Sequence, residues 1–365
     1  METYHTVLAF LLAEGTGPVD CYRLPRDHVE VFRKLRSAPG RKELSFAVGR
    51  VVGEVPWKAF DAQLRSMKRH GVRAVTFLDG RYPAYLRDIA RAPPILFYRG
   101  ELSCLHQRGV AIVGTRNPTA RACDFAAALA RDLVELDIAV VSGVARGIDT
   151  AAHRGALARD GITVGVVGSG LDVPYPPENA PLLETIARRA CVLGEQIMGT
   201  PPLRHAFPQR NRLISALSHA VVVVEAGRRS GALITARWAL EQGREVGVVP
   251  GFPGDPRSHG VNALLKTGAF PVEGVEDILE AAPRLHPAVE KSDRAYPQRI
   301  RTADTDLGTE EAAVLDALGG SPTEPDAVAR RLNTDVARVQ SLLLELEIRG
   351  AVARDALGMY YRTQP

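Results

Sequence analysis

Between residues 207 and 236, in FPQRNRLISALSHAVVVVEAGRRSGALITA, an aromatic ring, a set of cations and a Gly/Ser loop flank a β-branched run. Residues 207–212 set Arg210, Asn211 and Arg212 beside Phe207, and residues 220–224 form an apolar run that ends at Glu225. A Gly/Ser turn then leads from Gly227 through Ser230 and Gly231 into a helix whose first turn lies near Leu233. A strand followed by a glycine turn and a helix start aims free backbone N–H groups and the positive helix end at one place, and that place suits a phosphate. A ring with arginines beside it holds single-stranded nucleic acid without reading its sequence, because bases stack while the cations track phosphates. The plainer alternative puts Phe207 in the core and the arginines on a solvated face. Density favours the first: Arg204, His205, Arg210, Arg212, Arg228 and Arg229 gather around one expected strand, with Glu225 as the only carboxylate nearby.

Three other strand ends repeat the design. Gly114-Thr115-Arg116 closes the first sheet strand with a close-approach glycine, a hydroxyl and a planar guanidinium fork. Ser142 and Gly143 close the next, ahead of a helix that Asp149 is placed to cap. Gly168-Ser169-Gly170 ends the third and has only two of the glycines of G-x-G-x-x-G, so a dinucleotide site is not expected there. Asp172 and Glu225 are expected to orient loops, His153 to pack on a helix face, and no nucleophile with a partnered histidine is evident.

These loops need a scaffold that brings strand ends together. From residue 109 onward, strands at 110–113, 139–142, 163–167, 220–225 and 246–249 alternate with helices at 120–136, 149–159, 180–189 and 233–242. That alternation predicts an α/β fold, a doubly wound, Rossmann-like parallel sheet, over residues 71–282. Short strands are also expected at 74–78 and 95–98. Before the sheet, residues 1–70 read as a small helical domain with pieces at 6–13, 28–37 and 57–70. After it, the polar, Pro-containing stretch 283–306 reads as a linker. Residues 307–365 read as a winged helix, with helices at 309–318, 324–332 and 334–349 and a hairpin over 350–362. Its last helix is acidic and leucine-rich, which argues against a major-groove reader and for protein interaction.

Composition adds bounds. The 365 residues suffice for two or three domains, and 46 basic against 42 acidic residues leave a formal net charge of only +4, so local clustering must carry any polyanion argument. The four cysteines, Cys21, Cys104, Cys123 and Cys191, are widely spaced and fit reduced thiols better than zinc ligands or disulfides. The apolar run at 7–13 is too short to span a bilayer and lacks the basic flank of a signal peptide. A soluble, cytoplasmic protein without membrane contact is expected.

With AIVGTR at 111–116, VSGVARGIDTAAHRGAL at 141–157, GSGLDVPYPPEN at 168–179, FPQRNRLISALS at 207–218, SGALITARWALEQGR at 230–244, VPG at 249–251 and GVNALLKTGA at 260–269, the chain resembles the DNA processing protein A (DprA/Smf) family. The resemblance implies an extended Rossmann domain that binds single-stranded DNA in a basic pocket, forms a homodimer and loads the recombinase RecA in natural transformation. It also implies no catalysis and no cofactor. Matched to the family's motifs, the DNA-binding residues are Gly114, Thr115, Arg116, Ser142, Gly143, Gly168, Gly170, Phe207, Arg210, Asn211, Arg212, Ser230, Gly231 and Thr235. An N-terminal domain resembling a sterile-alpha-motif module and a C-terminal winged helix occur in some members. The apolar segment 261–279 is a candidate contributor to the dimer.

Two competing functions have sequence signatures of their own. Nucleoside monophosphate phosphoribohydrolases place a Gly-Gly-x-Gly-Thr loop in a comparable position, but residues 227–235 here lack the paired glycines and the acidic residue that follows them. A double-strand-binding regulator would use the winged helix, whose acidic last helix disfavours it.

Overall fold

The computed structural model describes residues 3–13, 21, 55–286, 309–318, 323–332, 334–348, 351–354 and 360–362. Residues 1–290 form one compact unit and residues 291–365 a second.

The first unit is built on a nine-stranded sheet. In chain order its strands are β1 (Arg73–Thr76), β2 (Ile95–Gly100), β3 (Gly109–Val113), β4 (Ala139–Ser142), β5 (Thr163–Val166), β6 (Cys191–Gly194), β7 (Ala220–Val223), β8 (Glu245–Val248) and β9 (Phe270–Pro271). In space they run β1-β2-β6-β5-β4-β3-β7-β8-β9. All pairs from β6 to β9 are parallel, and β1 and β2 join at the β6 edge by antiparallel pairing. The central strands are Val-rich and buried along their whole length, as a parallel sheet covered on both faces requires. Alternation along β3 then divides the core. Ala111 and Val113 face one apolar cluster and Val110 and Ile112 the other.

The first cluster packs against helices α7 (Ala206–Ala216), α8 (Ala232–Glu241) and α9 (His259–Lys266); the second packs against α4 (Ala120–Glu135), α5 (Ile148–Leu157) and α10 (Val275–Ala281). Of the remaining helices, α3 (Ala84–Arg87) is a single turn and α6 (Ala180–Arg189) covers β5 and β6. From β3 the chain winds outward through β4, β5 and β6, then returns to place β7 on the other side of β3. The order reverses between β3 and β7, and in a doubly wound sheet a ligand crevice opens beyond the carboxyl ends of such a pair.

Strands β6 and β9 and helices α3, α7, α9 and α10 form where no element is predicted. Helices α1 (Tyr4–Leu12) and α2 (Trp57–Arg69) share one apolar cluster with β1 and β2, through Leu8, Phe60, Met67, Ala74 and Phe97. The helix expected at 28–37 lies outside the described residues. In the stretch read as a linker, Leu285 is buried against α10's cluster and its carbonyl accepts a hydrogen bond from Arg108, while residues 287–306 lie outside the described residues. Val261, Val272, Val275 and Ile278 are buried, so these apolar positions of 261–279 serve the subunit's own core.

The second unit contains α11 (Thr309–Leu318), α12 (Pro325–Leu332), α13 (Val336–Ile348) and a hairpin of β10 (Val352–Arg354) and β11 (Tyr360–Arg362), which is a winged-helix arrangement. Leu342, Leu343 and Leu346 of α13 pack inward against Val314, Leu318, Val328 and Tyr360. These leucines are core, so they lend no support to the protein-interaction use expected for this helix. No helix among the described residues is long and apolar enough to cross a membrane.

Candidate nucleic-acid interface

A cleft of about 970 Å³ opens where the sheet order reverses, beyond the ends of β3 and β7. The loops after these strands are tied to each other: Thr115 N–H donates to the Glu225 carbonyl at 2.7 Å. Glu225 accepts hydrogen bonds from the Thr119 N–H and hydroxyl at 3.0 and 3.1 Å, and Thr119 in turn caps α4 by accepting from Ala122 N–H. Glu225 therefore orients the loop that carries Arg116, as its sequence position suggests.

The cleft wall on α7 follows from helical spacing. Phe207 and Arg210 are three apart and share a face, whereas Arg212, two beyond Arg210, falls on another. The Arg116 guanidinium carbon lies 5.6 Å from the Phe207 ring centroid, and the centroid of the Tyr175 ring lies 5.4 Å from that of Phe207. Gly168 lies beneath this ring: a Cβ there would come within 3.2 Å of Phe207 Cδ1.

Arg210 forms the floor and is only 4% exposed. Its guanidinium lies against Gly143, where any Cβ would overlap it. Burial pushes its pKa down to about 10, partly offset by the charge of Asp149. Asp149 is also buried, and burial pushes its carboxyl up from the usual range against the opposing pull of Arg210 and of two N–H donors, Gly143 at 3.1 Å and Ala145 at 3.2 Å. Arg210 Nε has no hydrogen-bond partner among the described residues. A buried donor left unpaired costs free energy, and a phosphate oxygen entering the cleft would satisfy it.

The expected site residues separate into three groups. Gly114, Thr115, Arg116, Phe207, Arg210, Asn211, Ser230, Gly231 and Thr235 line the cleft. Gly143 lines its adjoining recess, while Ser142, Gly168 and Gly170 line neither. Ser142 is buried and its hydroxyl donates to the Ile112 carbonyl at 2.7 Å, and Gly170 N–H donates to the Thr200 carbonyl at 3.0 Å. Arg212 turns away from the cleft and pairs with Glu195. Glu225 is thus not the only carboxylate near the arginines: Asp149 faces Arg210 and Glu195 holds Arg212. Neither pairing was expected, because both partners come from other elements, Asp149 from α5 and Glu195 from the loop after β6.

Tyr175 and Arg257 also line the cleft and were not singled out from the sequence. Tyr175 had a usable signal, an aromatic between prolines just after a strand-end glycine loop. Among the described residues, no group of three or more His, Cys, Asp or Glu side chains could hold a metal ion. All four cysteines are free thiols.

His153, on α5, is fully buried behind this floor. Thr163 Oγ1 donates to the Val140 carbonyl at 2.9 Å, so at 2.7 Å it accepts from His153 Nδ1–H, leaving Nε2 without a partner among the described residues. Burial, with the nearby charge of Arg210, pushes its pKa down to about 3. Between pH 6.5 and 3 the unfolded chain binds a proton here that the folded chain refuses, so acidification in this window removes stability, by at most about 1.4 kcal/mol per pH unit. His153→Leu should lose less stability than the unsubstituted chain between pH 7 and 4.5, as read by urea midpoints. Equal losses would show that His153 does not carry the acid sensitivity.

A doubly wound sheet with an arginine-walled, aromatic-lined cleft at its reversal point defines a protein of the Rossmann-like class. Residues 73–283 match the family model described as DNA recombination-mediator protein A, and residues 300–356 match the DprA winged helix domain. The chain belongs to the DNA recombination-mediator protein A (DprA/Smf) family. It is 37% identical over 274 residues to Protein Smf of Escherichia coli, covering 74% of this chain and 72% of that one. It is also similar to the X-ray structure of DNA processing protein A from Streptococcus pneumoniae, with TM-score 0.63 and 33% identity over 76% of this chain and 95% of that chain. A second similar structure is that of DNA processing protein A from Helicobacter pylori, described by its single-stranded DNA binding mode, with TM-score 0.53 and 28% identity over 60% of this chain and 96% of that chain.

Proposed function

We propose that this cleft binds single-stranded DNA, and that the chain, as a cytoplasmic homodimer, protects incoming strands and loads RecA onto them during natural transformation. The observation that carries the DNA reading is the cleft's lining, where buried Arg210 has an Nε unpaired among the described residues and Phe207 lines the same cleft. Six arginines, 116, 204, 210, 228, 229 and 257, line the cleft against a single carboxylate, Asp149, and that balance fits a polyanion. The rings of Phe207 and Tyr175 supply faces on which bases stack regardless of sequence. Support for recombinase loading, strand protection and self-association comes from family membership, and the single-stranded ligand of the Helicobacter pylori relative supports the choice of strand.

The role is one of binding without catalysis. Incubation with nucleoside monophosphates is expected to release no free base. Binding to labelled oligonucleotides should weaken with salt at a slope of about −0.7 in log K per phosphate contacted. Arg116→Ala should weaken binding to every sequence alike and flatten that slope by about 0.7, read by fluorescence anisotropy across salt concentrations. Salt-independent binding, or an unchanged Arg116→Ala protein, would refute the cleft as the site.

A further inference from the structure

The loop after β8 carries the most exposed large apolar side chain among the described residues, Phe252, at 80% relative exposure. Such a side chain on a slack loop would carry no meaning, but this loop is pinned at several points. Asn262, on α9, accepts from Gly251 N–H at 3.3 Å and donates to the Gly251 carbonyl at 2.9 Å. Asp255 N–H donates to the Phe252 carbonyl at 3.0 Å, and Asp255 accepts from the Arg257 N–H at 2.9 Å and from its guanidinium at 3.2 Å. Arg257 also reaches Glu225, the carboxylate that orients the Arg116 loop, at 3.5 Å. The Phe252 ring lies beside Gly254 and is otherwise turned to solvent.

Pro256 and Arg257 of this same pinned loop line the cleft, on the side beyond β7 and β8. The loop thus sets an arginine facing the cleft a few residues from a bare phenyl ring. Phe207 and Arg116 make the same pairing inside the cleft, with a cation for the phosphate and a ring for the base. We infer that Phe252 is a second stacking platform, which takes a base of the single strand as it leaves the cleft past Arg257. The inference rests on the proposed single-strand function and extends its footprint beyond the cleft. Keeping a large apolar ring in water is unfavourable, so a base laid over it recovers buried area as well as stacking.

The test uses the full chain with labelled oligothymidylates of about 6 and about 16 nucleotides, spanning the range of sites seen for single-strand binders. Phe252→Ala should lose about five- to a hundredfold in affinity for the long oligonucleotide and markedly less for the short one, while Phe252→Trp retains affinity at both lengths. In Phe252→Trp, the long oligonucleotide should also quench more tryptophan fluorescence than in the parent chain, whose tryptophans are Trp57 and Trp238. If the parent chain binds both oligonucleotides and Phe252→Ala binds each equally well, the inference fails and the proposed function stands. If the parent chain binds neither, the proposed function fails first. Light scattering supplies the last arm. Loss of mass in Phe252→Ala with unchanged affinity would show that the ring meets a second copy of this chain, and would overturn the inference.

Discussion

Arg210→Met is expected to lower affinity for single strands by about ten- to a hundredfold and to lower stability by about 3 kcal/mol. The two losses have different origins. Affinity falls because the buried guanidinium, with its unpaired Nε, is the charge-assisted donor at the floor of the cleft. Stability falls because Asp149, already pushed up by burial, loses the cation that offsets its desolvation and keeps neutral donors such as the N–H groups of Gly143 and Ala145. Adding Asp149→Asn separates them. The amide oxygen can still accept from those N–H groups and carries no charge, so the double variant should recover most of the stability and none of the affinity. Urea unfolding and anisotropy on the same three proteins read both quantities. An Arg210→Met protein that binds like the parent would remove Arg210 from the site, and a double variant that regains affinity would show the loss was only structural.

Strands β3, β4, β5, β7 and β8 were legible because buried parallel strands need Val-rich runs, and a glycine follows each within a few residues of its carboxyl end. Helix α7 was not legible. Its positions Arg210 and Arg212 are buried yet charged, so the apolar periodicity that reveals a helix is broken there. The same break misled the reading of Arg212, since adjacency to Arg210 in sequence says nothing of the helix face, and its partner Glu195 comes from the loop after β6. Antiparallel attachment of β1 and β2 was equally hidden, because strand composition does not set pairing direction. Arg257 and Phe252 became relevant only once strand order placed the loop after β8 at the same edge as the loop after β3.

Two glycines in the loop between β4 and α5 should respond to alanine through different neighbours, a side chain at Gly143 and mainly backbone at Gly147, and the contrast tests how the cleft is built. At Gly143 the atoms nearest an added Cβ all belong to the guanidinium of Arg210, a buried side chain that faces Asp149. Gly143→Ala should therefore displace the floor and part Arg210 from Asp149, so that affinity falls about tenfold and stability by up to about 3 kcal/mol, most of which Asp149→Asn should return. At Gly147 the backbone sits at φ +77, where a Cβ is strained, and it would press on the carbonyl of Thr115, on Pro118 Cδ at 2.7 Å and on the Arg116 carbonyl carbon at 2.9 Å. None of these neighbours can rotate away, because the Thr115 N–H is bound to the Glu225 carbonyl and Ile148 N–H donates to the Thr115 carbonyl at 3.3 Å. Gly147→Ala should thus lose about 2–4 kcal/mol of stability and carry the Arg116 loop out of place, so that affinity falls even at temperatures where the protein is fully folded. Thermal unfolding and oligonucleotide binding on both variants, each with and without Asp149→Asn, separate the cases, because only the loss at Gly143 runs through Arg210 and Asp149. Should Gly147→Ala keep full stability, the loop after β3 is not held by this glycine, and the placement of Arg116 must rest on Glu225 and Thr119 alone.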